Sequence, residues 1–570
     1  MMNRSIIAIE RCGAALLSVA LLLPVADAPW FSFWREWATS IAALLVILGA
    51  VAGLRDAGQS LRLSARSLGA VAMGLALLCW VQFGIGLVPY HSDALVPSLY
   101  LVGFALCVIA AGSLPESERA ALADRLAAAM LVAALVSVPL ALLQWVGWLR
   151  LDLGMRVQGG RPVAHMEQAN LLCSLLIQGL CGAWRLVSRG RLASRVALAM
   201  CVLLLLTIVL TQSRVAWIAT LAFVGMAAWR RDVFDWRSHW RGVLTAVIIL
   251  LAGTLLLPWI DSQLGLPGAS LSERVSEGRR PAAWMLFIEA ALSRPWLGWG
   301  VLQNGTAQFV LADRHPALGY IFSSTHNVVL DLVVWFGIPV GLFAGAALLF
   351  AVVRRIARAP TSAALATVMA ALALVLHALV ELPLQYAYFL LPLGLYIGIT
   401  TSERTQRSGH YLQLRADVPG LLPATSLAAA ALLATLGQEY IRVTDIRPIF
   451  LVDKATLRPQ LEATLPLPDV VLLDQLKAFH AFAALPLQSG LSSSQLDAAK
   501  TAMRRAPYSS AIERYAILAG LNGRESDSMD ALRRVCKFET RQQCLRSQYA
   551  WGVWRERWPA LPIGSELIVD

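Results

Sequence analysis

Polar breaks divide the chain into about thirteen apolar runs, most of them near twenty residues long, and this pattern fixes the class of fold. A helix needs about 20 mainly apolar residues to cross the hydrocarbon core of a bilayer. The runs lie near 12–28, 38–54, 67–88, 95–113, 124–147, 169–187, 194–211, 213–229, 242–258, 327–352, 362–379, 383–400 and 421–438. Composition agrees: 58% of residues are hydrophobic and 15% charged, where a soluble domain carries about 25% charged residues. The expectation is an all-α polytopic membrane protein with about 13 transmembrane helices. Residues 1–440 form its multi-pass domain, with a large loop at about 259–326, and residues 441–570 form a polar helical tail. The apolar stretch from Cys12 to Val25 has the length of a signal peptide, but further spans follow it at once, so it reads as a first membrane helix.

The formal charge of +12 is nearly all arginine. With the N-terminus inside, the inner loops hold Arg55, Arg62 and Arg66; Arg119 and Arg125; Arg185, Arg189, Arg191 and Arg195; Arg230, Arg231, Arg237 and Arg241; Arg354, Arg355 and Arg358; and Arg404, Arg407 and Arg415. This is the positive-inside pattern. It puts the Trp148–Gln168 loop, the Trp259–His326 loop, the Glu381–Leu384 corner and the tail on the outer face. No basic block sits in a polar fold, which argues against nucleic acid as a partner. Six cysteines lie in or beside apolar runs and read as small buried hydrophobes. Cys536 and Cys544 lie in the tail, where we expect a disulfide. Eight residues along one helix span about 12 Å, beyond the roughly 7 Å a bridge allows, so the pairing requires a turn near Lys537–Arg541.

The stretch Ser323-Ser324-Thr325-His326-Asn327 runs straight into an apolar segment that contains Gly337 and Gly341. An ionisable group at a helix mouth in the membrane is a functional candidate by default; the blander reading is a His-Asn pair capping a helix at the interface. Four other groups share the outer face. Gly160-Arg161-Pro162 with His165, Glu167, Gln168 and Asn170 precedes a span, where Gln168 and Asn170 could equally cap the helix. Thr211-Gln212-Ser213-Arg214 breaks two apolar runs, and its arginine is either a hairpin anchor or a phosphate clamp. Arg279 and Arg280, with Arg274, precede an amphipathic segment, Pro281–Ser293, suited to the membrane surface; they would otherwise meet anionic lipid. His377, Glu381, Gln385 and Tyr386 surround Pro383. The chain has no HExxH, GxSxG, P-loop or DxD-type motif, which argues against metalloprotease, serine hydrolase, ATPase and metal-dependent glycosyltransferase chemistry.

At these residues the sequence resembles the bacterial O-antigen ligase and O-oligosaccharyltransferase superfamily, and within it the pilin-type protein O-oligosaccharyltransferases. The resemblance runs from about Gly160 to Phe389. It comprises Gln168-Ala169-Asn170, Ser213-Arg214, Arg280…Trp284…Pro295…Gly298-Trp299-Gly300, His326-Asn327 followed by Gly337 and Gly341, and His377…Glu381-Leu382-Pro383-Leu384…Tyr386-Ala387-Tyr388-Phe389. The chain departs from the pattern at Ala169, where proline is usual, at Thr325, where a second histidine is common, and at Trp335 and Phe336, where an acidic residue is often found.

The resemblance implies en bloc transfer of a preassembled oligosaccharide from an undecaprenyl-pyrophosphate carrier to Ser/Thr hydroxyls of a pilin or another periplasmic protein. The enzyme would sit in the bacterial inner membrane, with its site facing the periplasm, and would need no metal or other cofactor because the pyrophosphate already activates the sugar. Its membrane-lipid and protein partners would include no nucleic acid. His326 would act as the base, with Arg214 and Arg280 on the pyrophosphate. Gln168, Asn170, Tyr386, Arg279, Glu381, Asn327 and His165 would bind substrate. The alternatives are an O-antigen ligase acting on lipid A-core, an O-antigen polymerase, a lipid-linked glycan transporter, and an assembly protein without catalysis. A transporter should carry polar groups through the membrane midplane, whereas here they gather at one face.

Overall fold

The computed structural model describes residues 4–24, 30–56, 58–64, 68–149, 160–266, 279–401, 411–414, 421–445 and 467–562. Arg66, Arg274, Arg404, Arg407 and Arg415 lie outside them, as does the tail between 446 and 466. The membrane-type helices are α1 (Arg4–Leu22), α2 (Phe33–Asp56), α3 (Leu68–Gly84), α4 (His91–Ser113), α5 (Glu116–Trp145), α6 (Ala169–Ser188), α7 (Ser194–Thr211), α8 (Arg214–Trp229) and α9 (Trp236–Gln263). Next come α10 (Arg280–Ser293), α11 (Asn304–Leu311), α12 (Val328–Phe336), α13 (Ile338–Arg358), α14 (Ser362–Ala378), α15 (Ala387–Ile399) and α16 (Leu421–Asp445). The tail adds α17 (Asp474–Ala484), α18 (Ser493–Arg505), α19 (Ser509–Leu521), α20 (Glu525–Val535) and α21 (Arg541–Arg557).

Every apolar run read from the sequence meets a helix. Among the described residues, seven helices are long and apolar enough to cross a membrane: α2, α4, α5, α6, α7, the His239–Gln263 part of α9, and α13. Four more, α3, α8, α14 and α15, are apolar but shorter. One expectation needs correction. The run at 327–352 is not one helix but two, α12 and α13, broken at Gly337 (φ 87°). A Cβ at Gly337 would overlap the Trp296 carbonyl, so only glycine lets the break pack there. The helical fold also carries one short ribbon that the sequence reading lacked: Leu61–Ser64 (β1) pairs antiparallel with Tyr411–Leu414 (β2), with Leu61 opposite Leu414.

The chain forms two compact units. The first contains Met1–Ala76, Leu99–Glu277 and Ala346–Leu433. Its core is a cluster of Ala, Leu, Val and Met side chains, in which α1 packs on α2, and α6 on α5, α7 and α14. Gly182 lies against the Ala127 carbonyl, the close approach by which membrane helices gain packing in the absence of a hydrophobic drive. Several arginines that read as loop anchors are braces here. Arg185 pairs with Asp124 at 2.8 Å and donates to the carbonyls of Ala363 and Ala120; Arg119 donates to the Thr401 carbonyl; Arg230 donates to the carbonyls of Ile356 and Ala359.

The second unit contains Leu77–Ser98, Gly278–Gly345 and Ala434–Asp570. Tail residues pack with residues of the long loop in this unit. Phe309 and Ala312 from the loop enter the tail's core beside Phe538 and Val535. Arg505 grips Asp93 with two bonds of 2.7 and 2.8 Å, and Asp93 is 2% exposed. Successive tail helices pack on one another, α17 on α18, α18 on α19 and α19 on α20. Cys536 and Cys544 are bridged, with Cα atoms 4.9 Å apart. The turn that permits the bridge is a 3-10 segment, Cys536–Phe538, followed by a Thr540 cap on α21.

Candidate active site

The first unit carries a polar array centred on Asn170, in the first turn of α6. Its Oδ1 accepts from Arg161 Nη2 (3.0 Å) and from the Ser213 hydroxyl (2.8 Å), and its Nδ2 donates to Glu381 Oε1 (2.9 Å). A cation on one side and an anion on the other fix which way the amide points. Gln212 sits in the left-handed region (φ 50°) and ends α7, so Ser213 can cap α8 while its hydroxyl also serves Asn170. Arg161 Nε donates to the Thr211 carbonyl at the same corner (2.7 Å). Arg214, the first residue of α8, is exposed beside it. Helix capping is therefore not the role of Asn170. Gln168 occupies the cap position of α6 without a side-chain cap bond, and its side chain is half-exposed. Below the array, the Ser174 hydroxyl bonds His377 Nδ1 at 2.6 Å.

Two residues that sequence reasoning missed, Arg35 and Glu36 on α2, brace the same region. Arg35 is fully buried; it donates to the carbonyls of Leu23 and His165 and lies over the Tyr388 ring at 5.1 Å. Glu36 accepts from Trp30, Ser32, Tyr100 and the Ala387 backbone N–H, which starts α15. Their one sequence signal is a pair of adjacent charges inside an aromatic cluster, Trp34 to Trp37. Tyr386 caps that helix, stacks on Tyr388 and donates to Glu167 at 3.3 Å. Burial pushes the Glu167 carboxyl up.

His165 does not fit the substrate-binding role expected of it. It is 4% exposed, and its Nε2–H donates to the Leu21 carbonyl at 2.7 Å. Burial, with the Arg35 guanidinium nearby, pushes its imidazole down to about 3. In the unfolded chain it titrates near 6.5. The unfolded state thus binds the extra proton first, so stability is full above about pH 6.5 and falls as pH drops toward 3. The loss is at most about 1.4 kcal/mol per pH unit. Thermal melts between about pH 7 and 5 should show this decline, and His165→Gln, which keeps a donor, should flatten it. An unchanged slope would show that the imidazole does not set it.

The second unit carries the histidine loop. His326 adopts φ 56°, left-handed for a residue with a Cβ, which costs about 1–3 kcal/mol and persists only where surroundings enforce it. Here Asp331, 3% exposed, enforces it. Its Oδ1 accepts from the Thr325 N–H (2.8 Å) and Asn304 Nδ2 (2.9 Å), and its Oδ2 accepts from the Ser324 hydroxyl (2.6 Å). Ser324 Oγ then accepts the His326 N–H at 3.0 Å. Trp284 Nε1 donates to the Thr325 carbonyl at 2.8 Å. The His326 ring stays half-exposed, edge-on to Phe322. Asn327 takes the blander role: its Oδ1 caps α12 by accepting from Val329 and Leu330 N–H groups.

The arginine pair heads α10. Arg280 is its first residue and half-exposed; Arg279 is exposed, lies over the Tyr320 ring and donates to the Leu318 carbonyl at 2.8 Å. The expected site residues thus divide. Arg214, Gln168, Asn170, Glu381, Tyr386 and His165 belong to the first unit, and His326, Asn327, Arg279 and Arg280 to the second. Among the described residues no group of three or more His, Cys, Asp or Glu side chains is placed to hold a metal.

The chain is similar to known families and proteins. The O-antigen ligase family matches residues 199–345, which include Arg214, Arg280 and His326. A second family, described as the C-terminal part of a virulence factor membrane-bound polymerase, matches residues 364–549. A general O-oligosaccharyltransferase of Acinetobacter baylyi is 30% identical over 417 residues, covering 69% of this chain and 70% of that protein. A ComP-specific O-oligosaccharyltransferase of the same organism is 25% identical over 258 residues, covering 45% of this chain and 46% of that protein. With its array of apolar helices, the chain is an integral membrane glycosyltransferase that belongs to the O-antigen ligase and O-oligosaccharyltransferase superfamily.

Proposed function

We propose that this enzyme transfers a preassembled oligosaccharide from undecaprenyl-pyrophosphate to a Ser or Thr hydroxyl of a periplasmic protein such as a pilin. The observation that carries the reading is the half-exposed His326, held in a costly backbone conformation by a buried carboxylate. Strain of this kind collects where a side chain must be aimed. In the reaction the acceptor oxygen attacks the anomeric carbon, its proton passes to His326, and the sugar–pyrophosphate bond breaks. Arg214 and Arg280 neutralise the charge that develops on the leaving group. Gln168, Asn170, Glu381 and Tyr386 provide amide, carboxylate and phenol partners for sugar hydroxyls or the acceptor, with Arg279 near the pyrophosphate.

The tail's disulfide supports an oxidising, periplasmic location for the site, and the arginine asymmetry supports the same orientation. The family match over 364–549 keeps a polymerase in view. Reconstitution with lipid-linked oligosaccharide separates the readings. A glycosylated pilin is the expected product; elongation of the lipid-linked glycan alone would identify a polymerase, and transfer to lipid A-core alone a ligase. An inactive C-terminal alkaline phosphatase fusion would reverse the orientation.

A further inference from the structure

A cavity of about 890 Å³ lies wholly within the first unit, among α6, α7, α8, α9 and α14. Its lining is mostly apolar. Ile208 and Ala216, near the Ser213–Arg214 corner, line one end and are buried. Ser188, Ser194, His239 and Gly242 line the other end and are exposed. Ser188 ends α6, Ser194 begins α7, and His239 and Gly242 lie in the first two turns of α9. The mouth is therefore at the end of the bundle opposite Asn170 and Arg214. Along α7 the lining reaches from Ser194 to Ile208, about 21 Å of helix, against about 15 Å for one leaflet's share of the hydrocarbon core.

The mouth is strongly basic. Arg191, Arg195, Arg237 and Arg241 stand around it in sequence, all exposed, and none has an ion pair among the described residues. The carboxylates at this end are engaged: Asp124 by Arg185 and Arg189, Asp232 by Arg230, and Asp235 as the cap of α9. Trp240, half-exposed with Arg241 over its ring at 5.5 Å, has the amphipathic character of a headgroup-level residue.

We propose that this cavity is a binding site for an anionic glycerophospholipid, with an acyl chain in the cavity and the phosphate on Arg191, Arg195, Arg237 and Arg241. The basic mouth lies at the end away from Arg214, where the donor's pyrophosphate is proposed to bind, so the proposal assigns the cavity to a lipid other than the donor. The test uses the full chain in neutral detergent, stripped of lipid, and titrated with dioleoyl phosphatidylglycerol or dioleoyl phosphatidylcholine. Bound lipid is counted by native mass spectrometry.

Phosphatidylglycerol should bind at least about tenfold more tightly than phosphatidylcholine. Changing the four arginines together to glutamine should make the two lipids bind alike. Gly242→Phe should abolish both at the mouth, and a Cβ there meets nothing within 4 Å, so the fold is spared. Equal binding of the two lipids to the wild type, no saturable binding of either, or selectivity that survives the four substitutions would overturn the proposal. So would displacement of phosphatidylglycerol by undecaprenyl phosphate that is lost in Arg214→Ala, since that would make the cavity part of the donor site.

Discussion

Replacing His326 with glutamine will lower the turnover number about 10²–10⁴-fold, the usual contribution of a positioned general base, and leave donor binding close to wild type. In the proposed reaction the Ser or Thr hydroxyl is a weak nucleophile, and the donor's pyrophosphate activates only the sugar. The remaining barrier falls largely to proton removal. The ring suits that role, being half-exposed beside Phe322 with its backbone tied down on both sides by Ser324 and the Asn327 cap. A base must be neutral to accept a proton. The rate of the wild type should therefore fall on the acid side of a profile run from about pH 5.5 to 9, and that limb should vanish in the glutamine variant. A histidine that instead hydrogen-bonds the pyrophosphate as a cation predicts the opposite slope. Near-wild-type turnover in both His326→Gln and His326→Ala, at matched expression, would remove His326 as the base and leave alignment by the arginines as the main source of rate.

How much of this was legible in the sequence depended on whether a signal was local. The apolar runs are local, and each meets a helix. The His326-Asn327 pair and the Ser213-Arg214 corner were visible because a polar cluster interrupts an apolar pattern. The break at Gly337 was not, because Val328–Phe336 and Ile338–Arg358 are both apolar, and the need for glycine comes from the Trp296 carbonyl, about forty positions earlier. The β1–β2 ribbon pairs residues 61–64 with 411–414, so its register is a long-range fact. Even so, Leu61-Arg62-Leu63-Ser64 alternates with period two and could have been read as a strand.

The brace residues were hidden for the same reason. Arg161 stands in a Gly-Arg-Pro setting, but nothing local says that it reaches both Asn170 and the Thr211 carbonyl. Arg35 and Glu36 read as ordinary charges at a helix start. Their partners, the His165 carbonyl and the Ala387 N–H, lie 130 and 351 positions away. Arginine counting had the converse fault: it assigned Arg119, Arg185 and Arg230 to topology, whereas each is engaged largely by carbonyls of neighbouring helices.

The same logic makes Asp331 the residue whose loss should come closest to losing His326 itself. It lies five positions beyond the histidine, on a helix face where the sequence reads as one stray charge in an apolar run. Three donors converge on its carboxylate, and one of them, Ser324, holds the His326 N–H in turn. Asp331→Leu strands the Thr325 N–H, the Asn304 amide and the Ser324 hydroxyl in a buried place, at about 1–3 kcal/mol for each group left unsatisfied. Relief comes most cheaply by letting the loop leave its left-handed turn. A displacement near 1 Å can cost about 10²-fold in rate, so Asp331→Leu should lose about that much turnover while donor affinity holds. Asp331→Asn keeps one acceptor oxygen for Thr325 and Asn304, and its amide can donate to Ser324 Oγ. It should stay within about tenfold of wild type. The acid limb of the pH profile should survive in both, lower in height, because the base is still present. Amide exchange at Thr325 and His326 should speed up in the leucine variant without a matching change in the tail. A leucine variant with normal turnover, or one that loses donor binding and keeps its rate once saturated, would mean that the carboxylate only packs the loop and does not aim the histidine.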